Sequence, residues 1–202
     1  IALAAIGRTF PVSAVTLGWV STANILAAAA LVVPFGRLAD LVGRRRILLA
    51  GAVVFTAASA GAMFAGSIAQ LIAARAVQGV GASAMFGTGI AILTSVLPPG
   101  ERGRALGLNT AAVYLGLSIG PFAGGWLTSA FGWRSVFGAI VPVGVLMIVL
   151  LVVWLKGEWA GARGERYDLP GALLFVVMQV ALLSGLTRLT STTGALLLVT
   201  GL

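Results

Sequence analysis

The 202-residue chain contains no cysteine and no histidine, and its five acidic residues stand against thirteen Lys and Arg. Without Cys, disulfide frameworks and thiolate chemistry are excluded; without His as well, so are the usual zinc and haem ligand sets. No metal or other cofactor is expected. The acids, Asp40, Glu101, Glu158, Glu165 and Asp168, all lie in polar stretches between apolar runs, which argues against a buried catalytic centre and against an enzyme. Charge is scarce throughout, at 9% of residues.

What fills the chain is apolar. Hydrophobic residues make up 59% of it and the mean hydropathy is +1.09, a load that a water-soluble domain of this size would have to expose in large patches. The sequence therefore belongs in a lipid bilayer. In a soluble protein the formal charge of +8 would suggest nucleic acid, but here Arg and Lys cluster in short segments between apolar runs, where charge sets topology instead. No nucleic-acid partner is expected.

Complete apolar spans are predicted at residues 15–35, 47–66, 71–97, 105–131 and 135–155, with a further helix from Pro170 to about Leu189. Residues 1–6 read as the last turns of a first helix that begins earlier, 7–13 as a short outer loop, and 194–202 as the truncated start of another helix. Alternating the spans sorts the loops into two sets. One holds Arg37, Arg44, Arg45, Arg46, Arg102, Arg104, Lys156, Arg163 and Arg166; the other holds Arg8, Arg134 and Arg188. By the positive-inside rule the first set, at residues 36–46, 98–104 and 156–169, is cytoplasmic. The expected fold is an all-α, polytopic membrane helical bundle.

Three stretches carry more than topology. Residues 36–46, GRLADLVGRRR, form a cationic turn with one acid: Gly36 and Gly43 permit unusual backbone conformations, and Asp40 stands four positions before Arg44, a spacing at which the two can pair. A topology signal explains the arginines but not the Gly, Asp and Gly arrangement. Arg75 sits inside its span, where an unpaired guanidinium costs on the order of several kcal/mol. It shares a face with Gly79, Ser83, Gly87 and Ala91, with Gln78 beside it, so that it points into the bundle towards carbonyls, water, substrate or an acid preceding Ile1, or else snorkels outward. In GLNTAAVYLGLSIGPFAGG, Ala112, Gly116, Gly120, Gly124 and Thr128 form a face almost without bulk, and Pro121 is expected to bend the span. Close helix packing alone accounts for many such repeats. Asn24 either lines a substrate path or bonds a neighbouring helix; Tyr114, Trp19 and Gln179 are weaker cavity positions.

These stretches resemble motifs of the major facilitator superfamily. GRLADLVGRRR is similar to its signature loop between the second and third helices, with Leu41 where many members have Arg or Lys. RAVQGVGASA resembles its fourth-helix motif, and Gly107, Gly116, Gly120, Pro121, Gly124 and Gly125 match every fixed position of the antiporter motif of drug/proton antiporters. RYDLPGALLF is similar to the fourteen-helix drug exporter branch.

The resemblance implies an N-terminal transporter bundle over residues 1–155, a cytoplasmic loop at 156–169, and following helices over 170–202. It implies a multi-pass protein of the cell (inner) membrane, exporting amphipathic drugs or related small molecules in exchange for protons. Gly36, Asp40, Gly43 and Arg44 would form a cytoplasmic latch, and Arg75, Gln78 and Gly79 a proton-coupling group. The partners implied are small-molecule substrate, protons, the lipid bilayer, and the first helix and C-terminal bundle of the same protein. A metabolite carrier of the same superfamily and a non-transporting membrane scaffold or sensor are the alternatives.

Overall fold

The computed structural model describes residues 2–162 and 164–186. Its helices, in order, are α1 (Ala2–Thr9), α2 (Ala14–Val42), α3 (Arg44–Met63), α4 (Ile68–Val96), α5 (Pro99–Phe131), α6 (Arg134–Trp154) and α7 (Leu169–Leu186). Five of them, α2 to α6, are long and apolar enough to cross a membrane. Arg163, Arg188 and residues 194–202 lie outside the described residues.

Several boundaries differ from those read in the sequence, each for a local reason. Helix α1 includes Gly7 and Arg8, and the outer break shortens to residues 10–13, where Ser13 caps α2 by accepting from the Thr16 amide at 3.2 Å. The expected turn at 36–46 is mostly helix: α2 runs through Gly36 and Asp40 to Val42, and α3 begins at Arg44. Only Gly43, at φ +125°, breaks the path. At 29 residues α2 is about 43 Å long, more than the hydrocarbon core needs, so its cytoplasmic turns project beyond it. Helix α3 stops at Met63, short of the expected end at residue 66, which leaves Gly66 in the bend before α4. Pro99 and Gly100 begin α5 instead of separating two spans, because proline lacks the one donor that a first turn does not need. Pro121 sits within α5 without interrupting it.

The bundle is built around α4, which packs against α2 on one side and α3 on the other. Small residues set both contacts. A Cβ placed on Gly81 would come within 2.6 Å of the Phe55 backbone nitrogen, and one on Gly51 within 2.9 Å of the Gly81 carbonyl oxygen. Towards α2, a Cβ on Gly79 would meet Ala27 at 2.9 Å, and one on Gly87 would meet the Val32 carbonyl oxygen at 2.9 Å and the Gly36 nitrogen at 3.2 Å. Gly36 thus serves close helix approach, not the turn. At the outer end, Ile6, Val20, Ala62, Leu71, Trp133 and Phe137 form a buried cluster joining α1, α2, α3, α4 and α6. Trp133 is 4% exposed and donates from its indole nitrogen to the Thr9 hydroxyl at 3.0 Å.

Candidate functional site

Two polar groups lie along the α2–α4 seam, one at each end. Near the outer end, Arg75 donates from Nε to the Val20 carbonyl of α2 at 2.9 Å and from a terminal nitrogen to Gln78 Oε1. Gln78 Nε2 in turn donates to Ser59 Oγ of α3 at 2.7 Å, and Ser59 donates to the Phe55 carbonyl at 2.7 Å. Gln78 and Ser59 are essentially sealed, at 1% and 0% exposure. The Phe137 ring of α6 lies 6.0 Å from the guanidinium carbon, the outer limit of a cation–π contact. Arg75 therefore points into the bundle, and its described partners are a carbonyl and an amide, with no acid in reach among the described residues. Asn24 bonds the neighbouring helix: its amide nitrogen donates to the Arg75 carbonyl at 3.2 Å.

At the cytoplasmic end, Arg44 Nε donates to Asp40 Oδ1 at 2.8 Å across the Gly43 break. Arg44 also donates to the Ala91 carbonyl of α4 at 3.0 Å and to Ser95, which anchors the turn on α4. The rest of the fastening comes from the segment between α6 and α7. The first amides of α3 have no helical acceptor, and Gly43 offers no side chain to cap them. They are satisfied from more than a hundred residues away: the Arg44 amide donates to the Trp159 carbonyl at 2.8 Å and the Arg45 amide to Glu158 Oε1 at 2.9 Å. The Glu158 carboxylate lies where a Cβ on Gly43 would stand, also within 3.5 Å of Arg46, and a negative charge there is favourably placed against the helix N-terminus. Arg45 Nε donates to the Leu155 carbonyl, the Ala162 amide to the Asp40 carbonyl at 3.0 Å, and Arg37 pairs with Glu165.

This segment, read in the sequence as a solvated loop, is thus a strap across the ends of α2 and α3. Glu158, Trp159, Glu165 and Ser59 were all missed as site residues. A glycine helix start with no side-chain cap was the available hint that another segment supplies acceptors.

The glycine–proline face of α5 behaves differently. A Cβ on Gly107, Gly116, Gly120 or Gly124 would meet nothing within 4 Å, and Thr128 is the one buried residue of the helix. Gly120 and Gly124 look into an apolar cavity of about 470 Å³ bounded also by Phe55, Thr56, Gly144 and Met147. Gly125 is half-buried, and Pro121 and Tyr114 are exposed, Tyr114 at 66%.

Apolar helices joined by short turns, with most cations at one end and an arginine held inside the seam, define a polytopic membrane helical bundle. The chain belongs to the Major Facilitator Superfamily, whose family description matches residues 1–201. Over 183 residues it is 39% identical to the multidrug resistance protein Stp of Mycobacterium tuberculosis, covering 90% of this chain and 34% of that protein. It is 40% identical over 177 residues to the cephamycin export protein CmcT of Amycolatopsis lactamdurans, covering 87% of this chain and 35% of that one. It is 34% identical over 170 residues to the riboflavin transporter RibZ of Clostridioides difficile, covering 84% and 37%. The chain spans about a third of the length of these relatives.

Proposed function

We propose that this chain is the N-terminal bundle, with the start of the following helices, of a proton-driven exporter of amphipathic small molecules working by alternating access. The observation that carries the reading is the state of α5. On this 33-residue helix a Cβ at Gly107, Gly116, Gly120 or Gly124 would meet nothing within 4 Å, and Gly120 and Gly124 border an open cavity, whereas Gly51, Gly79, Gly81 and Gly87 are closed into the α2–α4 and α3–α4 seams. Two relatives named for multidrug resistance and cephamycin export support the direction of transport.

In this mechanism the bundle rocks against a second one around a site near the membrane midplane. The α5 face is the surface that slides. Asp40 and Arg44, fixed to α4 and to the strap, form a rigid cytoplasmic latch that engages the other bundle in one conformation and releases it in the next. Arg75 sets the charge environment in which a membrane acid outside the described residues gains and loses a proton against substrate.

The test uses the full-length protein in inverted membrane vesicles. Uptake of an amphipathic dye should require an acid interior and stop with a protonophore, and substrate-driven proton release should fall with Arg75→Ala. Release unchanged by that substitution rejects the coupling role of Arg75. The riboflavin transporter among the relatives favours a second reading, a metabolite carrier. Under it, riboflavin or a similarly polar heterocycle is moved and the dye is not.

A further inference from the structure

The chain of hydrogen bonds behind Arg75 has a fixed direction, set at one end by Arg75 and at the other by Ser59. A hydroxyl has one proton, and that of Ser59 goes to the Phe55 carbonyl at 2.7 Å. What remains towards Gln78 is a lone pair, so a donor must face it. The Gln78 amide nitrogen does so at 2.7 Å, which turns the amide oxygen to Arg75, a side chain that can only donate. Reversed, the amide would press its NH₂ group against a guanidinium and its oxygen against a lone pair. Both residues are sealed from solvent, so no water is at hand to repair a wrong orientation.

We infer that Ser59, on the neighbouring helix α3, is a positioning residue for Arg75, acting through the orientation of the Gln78 amide. The inference rests on the proposed coupling role of Arg75 for its functional consequence, though not for the geometry. Without the Ser59 acceptor, the Gln78 amide nitrogen loses its partner among the described residues, and the amide is held from the Arg75 side alone. A Gln78 amide fixed at one end holds Arg75 less firmly in its place against the Val20 carbonyl and the Phe137 ring.

The experiment compares Ser59→Ala in two backgrounds of the full-length protein. With Gln78 native, it should lower proton-driven transport about ten-fold, equivalent to a coupling of about 1.4 kcal/mol, and lower the melting temperature. With Gln78→Glu, both terminal atoms of residue 78 are acceptors and no orientation is needed. There, the same serine change should cost less than about two-fold and shift the melting temperature little. Equal losses in the two backgrounds would show a packing role only and overturn the inference, as would no loss in the native background. The melting comparison decides the positioning role even if wild-type transport proves indifferent to a proton gradient, an outcome that would instead reject the coupling reading.

Discussion

Helices α4 and α5 carry the same kind of sequence pattern, small residues every four positions, and the fold uses them in opposite ways. On α4 the stripe of Arg75, Gly79, Ser83, Gly87 and Ala91 is taken up by α2 and the start of α3: Arg75 bonds Val20, Gly79 lies on Asn24 and Ala27, Gly87 lies on Val32 and Gly36, and the Ala91 carbonyl accepts from Arg44. On α5 a Cβ at Gly116, Gly120 or Gly124 would meet nothing within 4 Å, and only Thr128, at the end of the stripe, is buried. A four-residue run of small side chains is permission for a helix to approach. It does not say which helix does so, or whether the approach is permanent. In a bilayer, where hydrophobic burial does not drive helices together, such contacts carry much of the association, and whether a seam is closed separates scaffold from moving part.

The largest effect should come from refilling a closed seam. Gly81→Val puts two methyl groups where a single Cβ already lies 2.6 Å from backbone nitrogen and 2.8 Å from the Gly51 carbonyl oxygen, atoms that cannot turn aside. The expected outcome is loss of about 3 kcal/mol or more and no recoverable folded protein in a thermal-unfolding assay of the detergent-solubilised full chain. Survival with a near-native melting temperature would break the contrast, because the α4 glycines would then have room after all.

The matching change on α5 should leave the fold and remove the function. A Cβ at Gly120 would meet nothing within 4 Å, and the position borders the 470 Å³ cavity, so for Gly120→Leu the melting temperature should stay within about a degree or two of wild type. Transport in vesicles should nevertheless fall by at least about ten-fold, because a bulky side chain holds apart surfaces that must meet. Intact transport with intact folding would make the open face incidental.

The helix count, the sidedness of the cations and the α4 face were legible because each rests on a periodic pattern: about 20 apolar residues per span, or small residues at four-residue steps. The ends were less so. Gly36 and Gly43 look alike in the sequence, yet one is helical and packed on α4 while the other takes a positive φ, a distinction made by tertiary contact and not by local preference. The strap was hidden for a similar reason. Glu158 and Trp159 become site residues only because α6 returns the chain beside the start of α3, and Ser59 because α3 presents it to Gln78; no spacing announces either.

Fastening sharpens the contrast at the cytoplasmic side. Helices α2 and α3 are held there by the strap, whereas the start of α5 shows a local bond, Arg102 Nε to the Leu97 carbonyl at 3.1 Å. Glu158→Ala removes the acceptor for the Arg45 amide and the charge at the α3 N-terminus, and should lower stability by about 1–3 kcal/mol in thermal unfolding. The loss should be smaller for Glu158→Gln, which keeps an acceptor oxygen. Were Glu158→Ala silent, the strap would be a surface loop, and the two ends of the bundle would not differ in the way described.

The smallest effect belongs to Arg37 and Glu165, the other ion pair that ties the strap to α2. Both side chains are open to water, at 45% and 60% exposure, so their attraction is screened and partly spent on ordering two long side chains. Glu165→Gln should change the melting temperature by an amount equivalent to less than about 1 kcal/mol, and that difference should vanish as salt is raised. Glu158 is 18% exposed and holds a backbone amide, so its contribution should persist in the same salt series. Two carboxylates on one strap would thus separate by salt alone. If both faded together, the strap would be held by long-range charge and not by capping the helix, and its rigidity as a base for the Asp40–Arg44 pair would depend on ionic strength.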